Sequence, residues 1–403
     1  MPRFQRRRVD GEEQHATNLE LFYDLVFVFA VTQVSHLLVA HLTWAGVGQS
    51  ALVLLVIWWA WNYTTWFTNE LDPESIVVRV VVIAIMLASL LMAIAIPRAF
   101  GDRAMLFVGS YVAIQVGRQA FLTFVAGTAG TVERTRATRI LIWFVAAGVF
   151  WIAGALADGT ARTLLWLLAL AIDYAGPVAV YRVPGLPRVS SADWNVEVSH
   201  FAERFGLFII IALGESVVVT GATTSELELD DARVVAFAIA FLSSAALWWL
   251  YFDTVARIAQ RRLELSPNRT QLARDAYTYL HVVMVAGIIV SAVGDELLIA
   301  HPTEVLPGRE VAAVVAGPAL YLLALSLHRL RMSGTISPRR LAGAVACAAA
   351  GFLGAFAPAL VVAGVVLAIL AAVIGADRRA GVLRRRRGER SPLERLEASA
   401  GAG

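Results

Sequence analysis

Apolar stretches of membrane-spanning length recur along this whole chain, and no other feature of the sequence constrains its fold as strongly. They run over 18–41, 49–70, 76–96, 104–125, 139–157, 162–182, 200–221, 233–256, 274–296, 310–328, 339–355 and 357–375. A spanning helix needs about 20 predominantly apolar residues. In hydrocarbon every backbone N–H and C=O must find its partner within the protein, and for continuous apolar stretches the helix meets that demand. The expected fold class is therefore all-α, a polytopic membrane helix bundle of about 12 transmembrane helices. Only Phe356, Ala357 and Pro358 part the last two stretches. If these two form one hairpin-like unit, the count changes and the C-terminus moves to the other side.

Composition agrees with this reading. The chain is 58% hydrophobic and 16% charged, with a mean hydropathy of +0.68, whereas soluble domains are about 25% charged. All 34 side chains in the Lys-plus-Arg total are Arg. The absence of lysine excludes a lysine Schiff base, and with it retinal or pyridoxal chemistry of that kind, and also a P-loop. Cys347, the single cysteine, lies in an Ala-rich apolar run, so no intrachain disulfide and no cysteine-based metal site can form. The N-terminal MPRFQRRRVDGEEQ is basic, and polar, acidic residues separate it from the first apolar run. That run is too long for a signal-peptide core and has no small-residue cleavage site, so it reads as a retained first span.

Arginine placement orients the bundle. With the N-terminus inside, the inner segments hold Arg3, Arg6, Arg7, Arg8, Arg79, Arg134, Arg136, Arg139, Arg182, Arg188 and Arg204. They continue with Arg257, Arg261, Arg262, Arg269, Arg274, Arg329, Arg331, Arg339 and Arg340, and end in the tail with Arg378, Arg379, Arg384–Arg387, Arg390 and Arg395. The outer segments hold only Arg98, Arg103, Arg162, Arg233 and Arg309. This positive-inside bias predicts an even number of spans with both termini cytoplasmic. The basic tail RRRRGERSPLERLEASAGAG reads as an anchor beside anionic lipid headgroups rather than a nucleic-acid arm, so the bilayer, and no nucleic acid, is the expected partner.

Motifs pair across the chain. Glu20-x-Phe22 matches Glu203-x-Phe205, Trp58-Trp59-Ala60-Trp61 matches Trp248-Trp249-Leu250-Tyr251, and Tyr111 with Arg118 matches Tyr321 with His328 and Arg329. The pairs are in order, roughly 180–210 residues apart, as expected of two parallel six-helix repeats. The organisation read from this is a basic cytoplasmic N-terminal tail (1–17), a first six-helix repeat (18–182), a cytoplasmic linker (183–199), a second repeat (200–375) and a basic cytoplasmic C-terminal tail (376–403). Pro184, Gly185 and Pro187 mark the linker.

The candidate chemistry lies in polar residues inside apolar helices, where ionisable groups are expensive. At about 100° per residue, Glu20, Asp24, Thr32, Ser35 and His36 share one arc of the first helix, and His200, Glu203, Arg204 and Glu215 share an arc of the seventh. Glu215 lies about 18 Å along the helix from Glu203, near the middle of the bilayer. Burial favours the neutral carboxyl, so Glu215, Asp24 and Glu20 are candidates for ion or proton exchange. The competing reading is interhelical pairing, with Arg118 or Arg204 as counter-ion. Ser216 beside Glu215, His36, Glu203, and Asn62 and Asn69 on one face of the second helix complete the candidates. Asn and Thr there serve equally as a polar lining or as glue between helices. Trp59 and Trp66 are expected against lipid or neighbouring helices, Asp72-Pro73 at the start of the third span, and Asp253 paired with Arg257. Asp173 is a further acid within a span, with no local partner in the sequence.

ELFYDLVFVFAVTQVSHLL, WWAWNYTTWFTNELDPE, HFAERFGLFIIIALGESVVVTG and ALWWLYFD resemble the low temperature requirement protein A family of bacterial membrane proteins, over about residues 15–375. The resemblance implies a multi-pass protein of the bacterial inner membrane. It supplies no catalytic residues; the family's characteristic positions fall here on Glu20, Phe22, Asp24, Trp58, Trp59, Asp72, Glu203, Phe205, Gly214, Glu215 and Ser216. Phe22-Tyr23-Asp24 is also similar to the Phe-Ser-Asp signature of a class of potassium channels, although Phe205-Gly206-Leu207 in the second half has no acid at that place.

No Ser/His/Asp order, HExxH, GxSxG or strand-borne GxGxxG is present, and the seven His do not cluster. No enzyme activity, metal or cofactor is expected. The leading expectation is a transporter or channel for an ion or small solute that uses buried carboxylates. Its rivals are a membrane sensor or scaffold and, less favoured, an intramembrane transferase. Oligomeric state stays open.

Overall fold

A computed structural model of the chain describes Phe4, residues 14–190, Trp194 and residues 197–400, and every regular element among them is helical. The helices are α1 (Asn18–Ala40), α2 (Trp44–Glu70), α3 (Ile76–Ala95), α4 (Ala104–Phe121), α5 (Val132–Leu156), α6 (Gly159–Val178), α7 (Val198–Glu226) and α8 (Asp231–Phe252). They continue with α9 (Val255–Glu264), α10 (Arg269–Leu272), α11 (His281–Ala300), α12 (Gly308–Ser333), α13 (Pro338–Ala350), α14 (Ala359–Arg386) and α15 (Pro392–Ala400). Wider π-helical turns extend α4 over Leu122–Ala126 and join α10 to α11 over Ala273–Tyr279. Arg3, Arg6, Arg7 and Arg8 of the basic N-terminal tail lie outside the described residues. So do parts of the linker (191–193 and 195–196) and the last three residues of the tail.

Each of the twelve apolar stretches folds as helix, and ten helical segments among the described residues are long and apolar enough to cross a membrane. The other two are α4 and α13. The 18 residues of α4 include Gln115, Arg118 and Gln119, all buried. α13 is 13 residues long and is extended only by a 3-10 turn at Gly351–Ala355. Apolar side chains on the outside complete the membrane pattern. Along α3, Ile76, Val80, Ile83, Leu87, Leu91 and Ile94 are exposed while Val78, Val82, Ile85 and Met92 are buried, so both faces are apolar. Exposed apolar surface on this scale suits contact with lipid.

The chain divides into two compact units: Met1–Leu37 with Gly48–Arg204, and Leu38–Val47 with Phe205–Gly403. In the first unit α3 packs on α4, α4 on α5 and α5 on α6. Trp58, Trp59, Trp61, Trp151 and Trp166 are fully buried there, and Trp59 stacks on Tyr174 with ring centroids 3.9 Å apart. α6 ends where Val180 and Tyr181 adopt φ of 49°, an unfavourable conformation for such side chains. Arg139 holds that turn by donating to the carbonyls of Val180 (2.8 Å), Tyr181 (2.6 Å) and Pro187 (3.2 Å).

In the second unit α11 packs on α12, α12 on α13, α13 on α14, and α8 on α11 and α14. Glycine lets α11 and α12 approach closely: a Cβ on Gly317 would lie 2.4 Å from the Ser291 backbone nitrogen. Small residues at such contacts bring helix backbones together where lipid supplies no hydrophobic drive.

Two local expectations change. α3 begins at Ile76, after a turn in which the Asp72 carboxylate accepts from the Glu74 N–H at 3.0 Å, so Pro73 lies in the turn before the helix. Arg257 donates to the backbone carbonyl of Asp253 at 2.8 Å, and Thr254 Oγ1 donates to the Asp253 carboxylate, in place of the expected ion pair.

Candidate functional site

The first unit gathers Glu20, Asp24, Asn69 and Arg204 into one buried network. α1 opens with a capping box: the Thr17 N–H donates to Glu20 Oε2 at 2.9 Å, and the Glu20 N–H donates to Thr17 Oγ1 at 3.4 Å. Glu20 Oε1 then faces His200 Nε2 at 2.8 Å and Arg204 Nη1 at 3.1 Å. Four residues along α1, Asp24 Oδ1 accepts from Arg204 Nη2 at 2.6 Å and from Trp61 Nε1 at 2.8 Å. The i,i+4 spacing of Glu20/Asp24 and of His200/Arg204 makes each pair neighbours on one helix face.

Hydrogen bonding fixes the state of His200. The Glu197 N–H donates to Asn69 Oδ1 at 3.0 Å, which turns the Asn69 amide nitrogen toward the Glu197 carbonyl and toward His200 Nδ1, 3.0 Å from each. An amide nitrogen only donates, so Nδ1 accepts, and the proton of the neutral ring lies on Nε2, pointing at Glu20. Glu20, Arg204 and His200 are fully buried and Asp24 is 2% exposed. Two carboxylates thus surround one guanidinium, with Trp61 and His200 as further donors.

Other expected candidates lie elsewhere. Glu203, half exposed, accepts from the Ala16 N–H at 3.0 Å and meets His15 at 3.3 Å, holding the segment before α1. His36 is exposed on α1, and Asn62 is fully buried on α2. Arg118 has no carboxylate within ion-pair distance among the described residues. It donates to Thr64 Oγ1 at 3.1 Å, to the Ala60 carbonyl at 3.5 Å and to Gln115. Asp173, partnerless in the sequence, accepts from Tyr111 at 2.8 Å and Trp151 at 2.9 Å.

The second unit holds Glu215 and Ser216 on α7 together with an acid that the sequence reading passed over, Asp295 on α11. Glu215 is fully buried and Asp295 is 9% exposed, and their carboxylates are close enough to act electrostatically on each other. Ser216 Oγ lies 3.0 Å from Ser244 Oγ on α8 and donates to Asp295 Oδ2 at 3.4 Å. No cation lies within ion-pair distance of Asp295 among the described residues. Asp295 stands next to Glu296 near the end of the stretch read as 274–296, where acids ordinarily meet water; α11 continues to Ala300 and carries it inside. Among the described residues, no group of three or more His, Cys, Asp or Glu could hold a metal ion.

Ten apolar helical segments with acids and arginines buried between them define an integral, multi-pass membrane protein. Residues 15–375 match the family model of the bacterial low temperature requirement A protein (LtrA), and the chain belongs to that family. It is also similar to an uncharacterized protein of Rhizobium meliloti (strain 1021), with 34% identity over 334 residues, 82% of this chain and 81% of the relative. No solved structure matches the chain.

Proposed function

We propose that the protein moves an ion or small solute across the bacterial inner membrane, and that Glu215 and Asp295 bind and release the proton or small cation that drives or constitutes the flux. The observation that carries this reading is Asp295, a buried acid on α11 that accepts from Ser216 and is out of ion-pair reach of any cation among the described residues, with the buried carboxylate of Glu215 near enough to act on it electrostatically. Like charges so placed cannot both ionise cheaply, so the pair favours uptake of a proton or cation. Ser216 and Ser244 add hydroxyl oxygens suited to a hard monovalent ion. Two parallel six-helix halves with cytoplasmic termini complete the proposal, supported by the paired motifs and the arginine bias.

The test is proton, sodium and potassium flux in proteoliposomes. Glu215→Gln and Asp295→Asn should each abolish the flux of the conducting ion while the protein remains folded; wild-type flux in both variants would sink the assignment. A second reading, a membrane sensor or scaffold, draws on the first unit, where Glu20 and Asp24 are tied to Arg204, His200 and Trp61. It predicts that the same variants change only stability and that wild-type protein conducts none of the three ions.

A further inference from the structure

Arg118 presents a different problem from Arg204. It lies on α4 at 1% exposure, and its acceptors are all neutral: the Thr64 hydroxyl, the Ala60 carbonyl and the Gln115 side chain. The rings of Tyr63 and Phe144 lie 5.4 and 5.9 Å from its guanidinium carbon. Ring faces offset only a small part of what burying a bare cation costs. The nearest route to a negative charge is indirect. Gln115 Nε2 donates to the Tyr111 hydroxyl at 3.1 Å, which donates to Asp173 Oδ2 at 2.8 Å.

Two buried atoms along this chain of contacts have no hydrogen-bond partner among the described residues: Arg118 Nε at one end and Asp173 Oδ1 at the other. Among the described residues, Arg118 Nη2 is held only by Gln115. Rotation of that one neutral side chain therefore frees the Nε/Nη2 edge of the guanidinium, the two-donor fork that fits a carboxylate. Net charge in the interior then requires compensation. An anion arriving at Arg118 leaves Asp173 as surplus negative charge, and a proton taken from water onto Asp173 cancels it.

We propose that Arg118 is the binding position for a small monocarboxylate anion, and that Asp173 takes up one proton when the anion binds. The groups facing Arg118 are Tyr23 on α1, Tyr63 and Thr64 on α2, Tyr111 and Gln115 on α4 and Phe144 on α5. Those facing Asp173 are Tyr111 on α4 and Trp151 on α5, with Tyr174 beside it on α6. Among them only Arg118 and Asp173 can carry a full charge at ordinary pH, and only Asp173 can lose or gain it there. The site is independent of Glu215 and Asp295, so it stands or falls apart from the function proposed above.

The test is calorimetric titration of the purified full-length protein with formate and acetate, with chloride as a spherical anion lacking the carboxylate fork. Above the pH at which Asp173 ionises in the free protein, binding of acetate or formate should weaken roughly tenfold per pH unit, because one proton enters with the anion. Chloride should bind more weakly. Arg118→Gln should remove carboxylate binding while the protein still unfolds in one cooperative transition. Asp173→Asn should keep binding but lose its pH dependence. If neither carboxylate binds the wild-type protein at any pH, or if binding survives in Arg118→Gln, the site assignment is overturned. A pH dependence retained in Asp173→Asn overturns the proton coupling.

Discussion

In the first unit Arg204 stands between Glu20 and Asp24 with contacts of 3.1 and 2.6 Å, and Trp61 and His200 donate into the same carboxylates. In the second unit a serine hydroxyl donates to Asp295 at 3.4 Å, and the carboxylate of Glu215 acts on it electrostatically. Burial is nearly the same in both places; the donors differ. A carboxylate whose charge is neutralised on the spot serves as a joint between helices, because separating the pair leaves a bare ion in hydrocarbon. A buried carboxylate that feels the charge of another acid and has no cation beside it gains from taking up a positive charge and is the better place to look for transport. Acidity inside a membrane helix is thus an ambiguous sign until its partners are known.

The largest effect should come from unbalancing the first unit. Arg204→Met leaves two carboxylates buried without their guanidinium and should cost about 3–5 kcal/mol, read as a fall in the unfolding midpoint in detergent. Adding Glu20→Gln and Asp24→Asn to it should restore most of that loss, since a neutral buried site avoids the desolvation penalty. If Arg204→Met alone is as stable as wild type, the joint described here does not exist.

The second unit should respond in the opposite sense. Glu215→Gln and Asp295→Asn should leave stability unchanged or slightly raised, while proteoliposome flux falls to background. A midpoint loss as large as that of Arg204→Met would make the two clusters alike and erase the contrast. Smaller again is the Asn69 clamp: Asn69→Ala strips Glu197 and His200 of buried partners and should cost about 1–3 kcal/mol in the same unfolding assay.

The smallest effect lies outside the membrane. Glu394 caps α15 by accepting from the Ser391 N–H at 2.6 Å, while its own N–H donates to Ser391 Oγ at 3.2 Å. The Ser391 bonds hold its carboxyl below the usual glutamate range. A lowered carboxyl stabilises the folded form above its unfolded value, and that help fades as the pH falls through the folded one. Protection of the α15 amides, taken against their intrinsic exchange rates, should therefore fall on acidification by more than in a Glu394→Gln control.

Much of the architecture is legible in the sequence. Twelve apolar stretches became twelve helical segments because lipid offers the backbone no other partners. Glu20, Asp24, Glu215 and Arg204 stood out because ionisable residues are conspicuous in apolar runs. The pairing of Asn69 with His200, 131 residues apart, left no trace in the sequence, because side-chain bonds between helices have no period to detect. Asp295 was hidden for a different reason. An acid beside Glu296 at the end of an apolar run reads as the place where a helix leaves the membrane, and only the extra turn of α11 shows otherwise.

Composition and periodicity by themselves determined a membrane helix bundle and the cost of the charges within it, since both follow from local hydropathy. Tertiary structure decided which charges are balanced. Whether a buried carboxylate is a joint or an exchange site depends on what other helices bring beside it; for Asp24 that neighbour is Arg204, while for Asp295 it is the Ser216 hydroxyl, with the charge of Glu215 acting on it.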